Sequence, residues 1–228
     1  MDLLELVPGL HLIPLGISNA YLWRDEDGAT LVDTGPPSAT ADLRAALEHL
    51  GVAREELRRI VITHAHDDHT GGAAALAAWS GASVLAGRAD APVVTGARPA
   101  PAPSLTPAEQ ALHAVVAADL HPAPPAGVDV ALDEGDALGA LQVLAVPGHT
   151  EGSIALHLPH EGLLLTGDTI AEHEGGAVLG PFNLDRARAW SALQRLAALD
   201  VEVAGFGHGR PMTTGTAQAL RHATDAFA

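Results

Sequence analysis

THAHDDHTGG, residues 63–72, places three histidines and two aspartates within six consecutive positions. The apolar run 58–63 (RRIVIT) leads straight into it and reads as a short strand, and the Ala-rich GGAAALAAW after it predicts a helix beginning near Gly71 or Gly72. The histidines therefore sit on a loop at the C-terminal edge of a sheet, where α/β proteins build their sites. In extended backbone the side chains of His64, His66 and Asp68 alternate onto one side, so three ligand-type groups converge. His69 follows at the bend into the helix and can address a neighbouring position. Imidazole suits zinc, iron or copper, and a carboxylate adds charge neutralisation and tolerance of harder ions. A merely solvated polar loop is a poor explanation of that density.

Outward from this loop the chain reads as mixed α/β. Residues 20–23, a turn at Asp27-Gly28 and residues 29–32 predict two antiparallel strands. LVDTG (31–35) closes a strand at a Gly-Pro turn. Ser38 is the expected N-cap of a helix with Leu43, Leu47 and Leu50 on one face, and Gly51 is its expected stop. Residues 88–127 contain RPAPAPSLTP and HPAPPAG around a helical pattern at 107–120, an insertion that reads as a surface excursion or a substrate lid. Strands are expected at 128–132, 141–146, 154–158, 163–166 and 201–206, with helices at 185–199 and 214–227. The two halves have similar content, which suggests αβ layers packed sheet to sheet with helices outside.

The length of 228 residues and the apolar share of 47% fit a single domain spanning 1–228, with the insertion at about 88–127. Twelve basic residues, all arginine, stand against 28 acidic ones, for a net charge of −16. Such a surface repels phosphates, so no nucleic-acid partner is expected. There is no cysteine, which removes disulfides, thiolate ligands and thiol nucleophiles. The first residues carry Asp2 and no basic segment ahead of a long apolar run, and no stretch reaches transmembrane length. No membrane association and a cytoplasmic location are the expectations.

The pattern H-x-H-x-D-H in residues 64–69 resembles the metallo-β-lactamase superfamily, and the resemblance runs through nearly the whole chain. LVDTG at 31–35 looks like the family's early strand-end motif, whose aspartate (Asp33) supports the metal loop without ligating. PGHTEGS at 147–153, LLTGDT at 164–169 and FGHG at 206–209 match the later motifs through His149, Asp168 and His208. The resemblance implies an α/β fold, a four-layer αβ/βα sandwich, holding two divalent ions, zinc first and iron or manganese as alternatives. It further implies that His64, His66 and His149 bind one ion, that Asp68, His69 and His208 bind the other, and that Asp168 bridges them.

Two cations about 3.5–4 Å apart share a water and lower its pKa towards ~7. The expected chemistry is thus attack of a bridging hydroxide on a polarised carbonyl, with Asp68 orienting the nucleophile or relaying its proton. Among branches of the family, true β-lactamases lack the bridging aspartate, and glyoxalase II enzymes continue into a helical glutathione-binding domain. Here about one helix follows His208. Lactonases are similar in length and ligands but add a tyrosine near the bridging aspartate, whereas Tyr21 is the sole tyrosine. The expectation is a hydrolase of a small ester, lactone or thioester, in the glyoxalase II and lactonase-like branch. The alternative is an iron-dependent oxidoreductase like the persulfide dioxygenases, and a third reading is a binding protein that has lost turnover. The sequence leaves the substrate and the oligomeric state open. Outside the motifs, His173 reads as a solvated loop residue and Asp67 as a hydrogen-bond acceptor for a neighbour or a plain polar residue.

Overall fold

The strand predicted ahead of the histidine-rich loop is present, as Leu57–Ile62, in the computed structural model, which describes residues 2–228. The chain divides into two compact units, Met1–Pro99 with His121–Leu132, and Ala100–Leu120 with Asp133–Ala228.

The first unit holds a seven-stranded sheet in sequential order. Strands β1 (Leu4–Val7), β2 (Leu10–Pro14), β3 (Asn19–Asp25) and β4 (Gly28–Val32) form an antiparallel meander. β5 (Leu57–Ile62), β6 (Ser83–Gly87) and β7 (Val130–Leu132) then add in parallel. Parallel strands covered on both faces read as unbroken apolar runs, and Ile60, Val61 and Ile62 are all buried. Helix α1 (Thr40–His49) places Leu43, Ala46 and Leu47 in the core beside Leu22, Leu31 and Leu76. α2 (Asp67–Thr70), α3 (Ala73–Ser80) and α4 (Ala91–Val94) complete the unit.

Ser38 does not cap α1. Pro36 and Pro37 lead into a 3-10 turn over Pro37–Ala39, so Ser38 lies inside that turn and Ala39 occupies the cap without a side-chain bond. Gly51 does end the helix, at φ 72°, and lets Val52 donate to the Leu47 carbonyl at 3.0 Å.

The second unit opens with α5 (Pro107–Val116), begun by a capping box between Thr106 and Glu109. Its five-stranded sheet runs β14-β11-β10-β9-β8, comprising β8 (Ala137–Leu138), β9 (Leu141–Ala145), β10 (Ile154–Leu158), β11 (Leu163–Leu165) and β14 (Val203–Gly205). A hairpin of β12 (Ile170–His173) and β13 (Gly176–Leu179) occupies a region that the sequence reading leaves as loop. Helix α6 (Arg186–Ala197), capped by the Asp185 carboxylate, buries Ala189, Leu193 and Leu196 against Leu164, Ile170 and Phe206. Burying a leucine fully is worth about 1.5–3 kcal/mol, so these positions anchor the helix. α7 (Thr216–Arg221) is shorter than the predicted 214–227.

The insertion at 88–127 is shared between the units. Residues 88–99 and 121–127 belong to the first, and α5 belongs to the second.

Candidate metal centre

In the first unit the ligand loop leaves β5 beside the end of β4, where Asp33 extends the ladder by donating its N–H to the Val61 carbonyl at 2.9 Å. Asp33 sits at φ 59°, a left-handed conformation that aspartate tolerates better than most residues. There its buried carboxylate turns into the loop. Oδ1 accepts the Thr63 N–H at 2.8 Å, and Oδ2 accepts the Thr63 hydroxyl at 2.7 Å and His69 Nδ1–H at 2.9 Å.

Those bonds fix two tautomers. The Thr63 hydroxyl spends its one proton on Asp33, so at its 3.0 Å contact with His64 Nδ1 it accepts. His64 therefore carries its proton on Nδ1, as His69 does, and both present an Nε2 lone pair. This is the arrangement that prepares imidazole for a metal. The rings are clustered, His64 lying 4.7 Å from His66 and 4.2 Å from His69 between centroids. His69 Nε2 is 3.6 Å from Asp68 Oδ2, so these two donors converge on one point. Asp33, His64 and His69 also offer ligand atoms within 4.8 Å of one another, but both Asp33 oxygens already hold protein donors, which makes it a support.

The backbone of the loop is tied down from several sides. Ser18 Oγ donates to the Asp68 carbonyl at 2.6 Å, and the Thr34 N–H and hydroxyl both donate to the His69 carbonyl at 2.8 Å. Asp90 Oδ2 accepts the Ala65 N–H at 2.9 Å. Asp67, left open by the sequence, accepts the Ala123 N–H at 2.8 Å and so fastens the end of the insertion to the ligand loop.

In the second unit three loops reach the same edge of the sheet, because β11 and β14 are parallel and β10 is antiparallel to β11. His149 precedes β10, Asp168 lies in a 3-10 turn after β11, and His208 follows β14. Asp168 Oδ2 is 3.6 Å from His149 Nε2 and 3.0 Å from His208 Nε2. A single carboxylate oxygen thus faces two imidazoles that come from different loops. His149 and Asp168 are buried, while the His208 side chain is 29% exposed, enough to leave access on that side.

Glu172 is a support that sequence reasoning missed. Its Oε2 accepts the Arg210 N–H at 2.9 Å and its Oε1 the Gly175 N–H at 2.6 Å, while its own N–H donates to the His208 carbonyl at 3.3 Å. The Arg210 N–H above all holds the carboxyl below the usual glutamate range. His173, next to it, is exposed and packs on Phe227 at 5.6 Å, as expected of a residue outside the site.

The family model described as Metallo-beta-lactamase superfamily matches residues 13–208, a span that contains Asp33 and all seven candidate ligands. The chain belongs to the metallo-beta-lactamase superfamily. Its α/β fold is that of the superfamily's solved structures. The family protein TTHA1429 from Thermus thermophilus superposes with a TM-score of 0.69 at 27% identity, over 95% of this chain and 77% of that one. TTHA1623, solved in a di-iron-bound form, gives a TM-score of 0.69 at 28% identity over 95% of this chain and 98% of that one. In sequence, the hydroxyacylglutathione hydrolase of Rhodobacter capsulatus is 35% identical over 202 residues, 87% of this chain. The chain spans 63% of that relative's length. Among the described residues no helix is long and apolar enough to cross a membrane.

Proposed function

We propose that this superfamily member is a dinuclear metal-dependent hydrolase of a small ester, lactone or thioester. His64, His66 and His149 would hold one divalent ion, Asp68, His69 and His208 the other, and Asp168 both. The observation that carries the reading is the Asp168 carboxylate, one oxygen of which faces His149 and His208 at 3.6 and 3.0 Å. The fixed tautomers of His64 and His69 support it, because they leave ring nitrogens with lone pairs and no proton. When bound, two such ions supply Lewis acidity to a carbonyl and an activated water.

Within that chemistry the side chains have separable roles. Asp168 offsets the positive charge between the imidazoles. Asp68 orients the attacking water and takes up its proton for delivery to the leaving group. Asp33 and Glu172 keep the ligand loops in place, and neither touches substrate. The R. capsulatus relative bears the name hydroxyacylglutathione hydrolase, so a hydroxyacyl thioester heads the substrate panel, followed by lactones and simple esters. Zinc is the first choice of ion. The di-iron form of TTHA1623 makes iron the second, and an iron-dependent oxidoreductase is the alternative reading.

Elemental analysis of protein purified without chelator or added metal is the first test. About two equivalents of metal per chain are expected. Asp168→Ala should lower metal content and hydrolysis together, and full activity with both ions retained would sink the assignment. Iron with oxygen consumption in place of hydrolysis would reverse the order of the two readings.

A further inference from the structure

The segment 180–185 backs two of the three candidate ligands of the second unit, His149 and Asp168. The Leu184 N–H donates to the His149 carbonyl at 3.1 Å, the Asp185 N–H to the Gly148 carbonyl at 2.9 Å, and the Gly180 N–H to the Thr169 carbonyl at 3.3 Å. Gly180 lies so close to Asp168 that a Cβ added there would meet the Asp168 carbonyl oxygen at 1.8 Å. In the middle of the segment Phe182 is held at φ 66°. A bulky residue stays in that region only where its surroundings over-determine it.

The surroundings come from the insertion. Glu109 of α5, buried completely, accepts the Phe182 N–H at 2.9 Å and Arg186 Nη1 at 2.8 Å through Oε1, and the Thr106 N–H at 2.8 Å through Oε2. Ser104 adds a backbone bond to the Asn183 carbonyl at 2.9 Å, and the His113 ring packs edge-on against Phe182 at 5.2 Å. Arg186 is paired in turn with Asp225, its Nε to Oδ2 at 2.7 Å, and the Thr106 hydroxyl donates to the Phe227 carbonyl at 2.7 Å. A lid that opens would have to break a carboxylate–guanidinium pair whose carboxylate is fully buried and free a strained backbone N–H together. The α5 part of the insertion is thus a fixed brace.

We propose that Glu109 is a positioning residue for the metal centre, holding segment 180–185 in the conformation that keeps His149 and Asp168 in place. The inference rests on the metal-centre reading above. Its signature is metal retention, because a residue that only stabilised the second unit would lower the melting temperature and leave the centre of the folded protein unchanged.

The test compares three variants loaded with zinc, by the rate of zinc release to a chromophoric chelator well below each melting temperature. Glu109→Ala removes every acceptor. Glu109→Gln keeps an Oε1 for Phe182 and Arg186 but turns an amide N–H₂ towards the Thr106 N–H, so it loses the capping box and keeps the clamp. Thr106→Val deletes the hydroxyl that accepts the Glu109 N–H and leaves the carboxylate alone. Glu109→Ala should release zinc about tenfold faster or more, while the other two stay within about threefold of wild type. Should Glu109→Ala not accumulate folded, Glu109→Asp, one methylene short of Phe182, is read the same way. Release from Glu109→Ala within about twofold of wild type, or equal acceleration in Thr106→Val, would overturn the proposal. A wild-type protein that binds no zinc, iron or manganese would instead overturn the metal-centre reading on which it rests.

Discussion

Asp33 shows how much one side chain settles in this fold. It serves Thr63 N–H, the Thr63 hydroxyl and His69 Nδ1–H at 2.7–2.9 Å, and through Thr63 it also fixes the proton on His64. Asp33→Ala would leave those donors buried without an acceptor, at about 1–3 kcal/mol each. The metal-free variant should therefore lose at least about 3 kcal/mol in urea denaturation. The freed imidazoles can then adopt the wrong tautomer, so zinc affinity should fall about 10–100-fold. Unchanged affinity in the folded variant would refute the tautomer argument. The candidate ligands are legible in the sequence because each stands in a short motif at a strand end. Asp33 was readable as a support through LVDTG; Glu172 was not. Its two acceptor bonds depend on the Glu174-Gly175 turn of a hairpin and on the approach of the 208–210 loop, and neither leaves a mark in local spacing.

The elements show the same division between local and distant causes. β5, β10 and α6 were legible because an apolar run or a helical face recurs over a few residues, and Asp185 caps α6 as a sequence of that kind requires. The last helix was overextended for the opposite reason. Thr224 leaves the helical path to exchange backbone bonds with Ala177 and Leu179, and Asp225 turns to Arg186, partners some forty residues away in sequence that no periodicity reveals. The missed hairpin β12–β13 is a structural necessity of the site, since it delivers Gly180 onto the Asp168 backbone. Gly180→Ala would force a Cβ to 1.8 Å from a carbonyl oxygen, backbone against backbone, and must move the turn that carries Asp168. A loss of about 3 kcal/mol or more is expected, together with reduced metal content. Gly176→Ala, in the same hairpin, meets nothing nearer than the His173 carbonyl at 3.6 Å and should stay within about 0.5 kcal/mol of wild type. Thermal unfolding and elemental analysis of the pair check the contrast, and equal stabilities would contradict the packing account.

At the scale of the whole molecule the excess of 28 acidic over 12 basic residues and three groups that titrate low pull stability in opposite directions as pH falls. Protonating surface carboxylates relieves self-repulsion at a net charge of −16 and favours the compact state. Three groups act against that. Burial pushes the His157 imidazole down. Burial alone would push the Glu109 carboxyl up, but it is outweighed by bonds from the Thr106 N–H, Arg186 and the Phe182 N–H, so it titrates low. Glu172 is also held low, first by the Arg210 N–H. In each case the unfolded chain takes up a proton at a higher pH than the folded protein does. The unfolded state therefore binds more protons in that window, and stability falls as pH falls. The histidine contribution is complete above about pH 6.5 and is lost below it; the glutamate contributions are complete above about pH 4.3 and are lost below it. Because relief of surface repulsion overlaps both windows, the absolute profile does not separate the causes, but differences between variants do. For metal-free protein, urea denaturation of His157→Gln against wild type should show the gap between the two curves changing as pH falls from about 7 to about 5.5. For Glu172→Gln the gap should be constant down to about pH 5 and narrow below about pH 4.3, where the wild type loses what the variant never had. A gap that is constant across the whole range for either variant would mean that the group is not linked to folding.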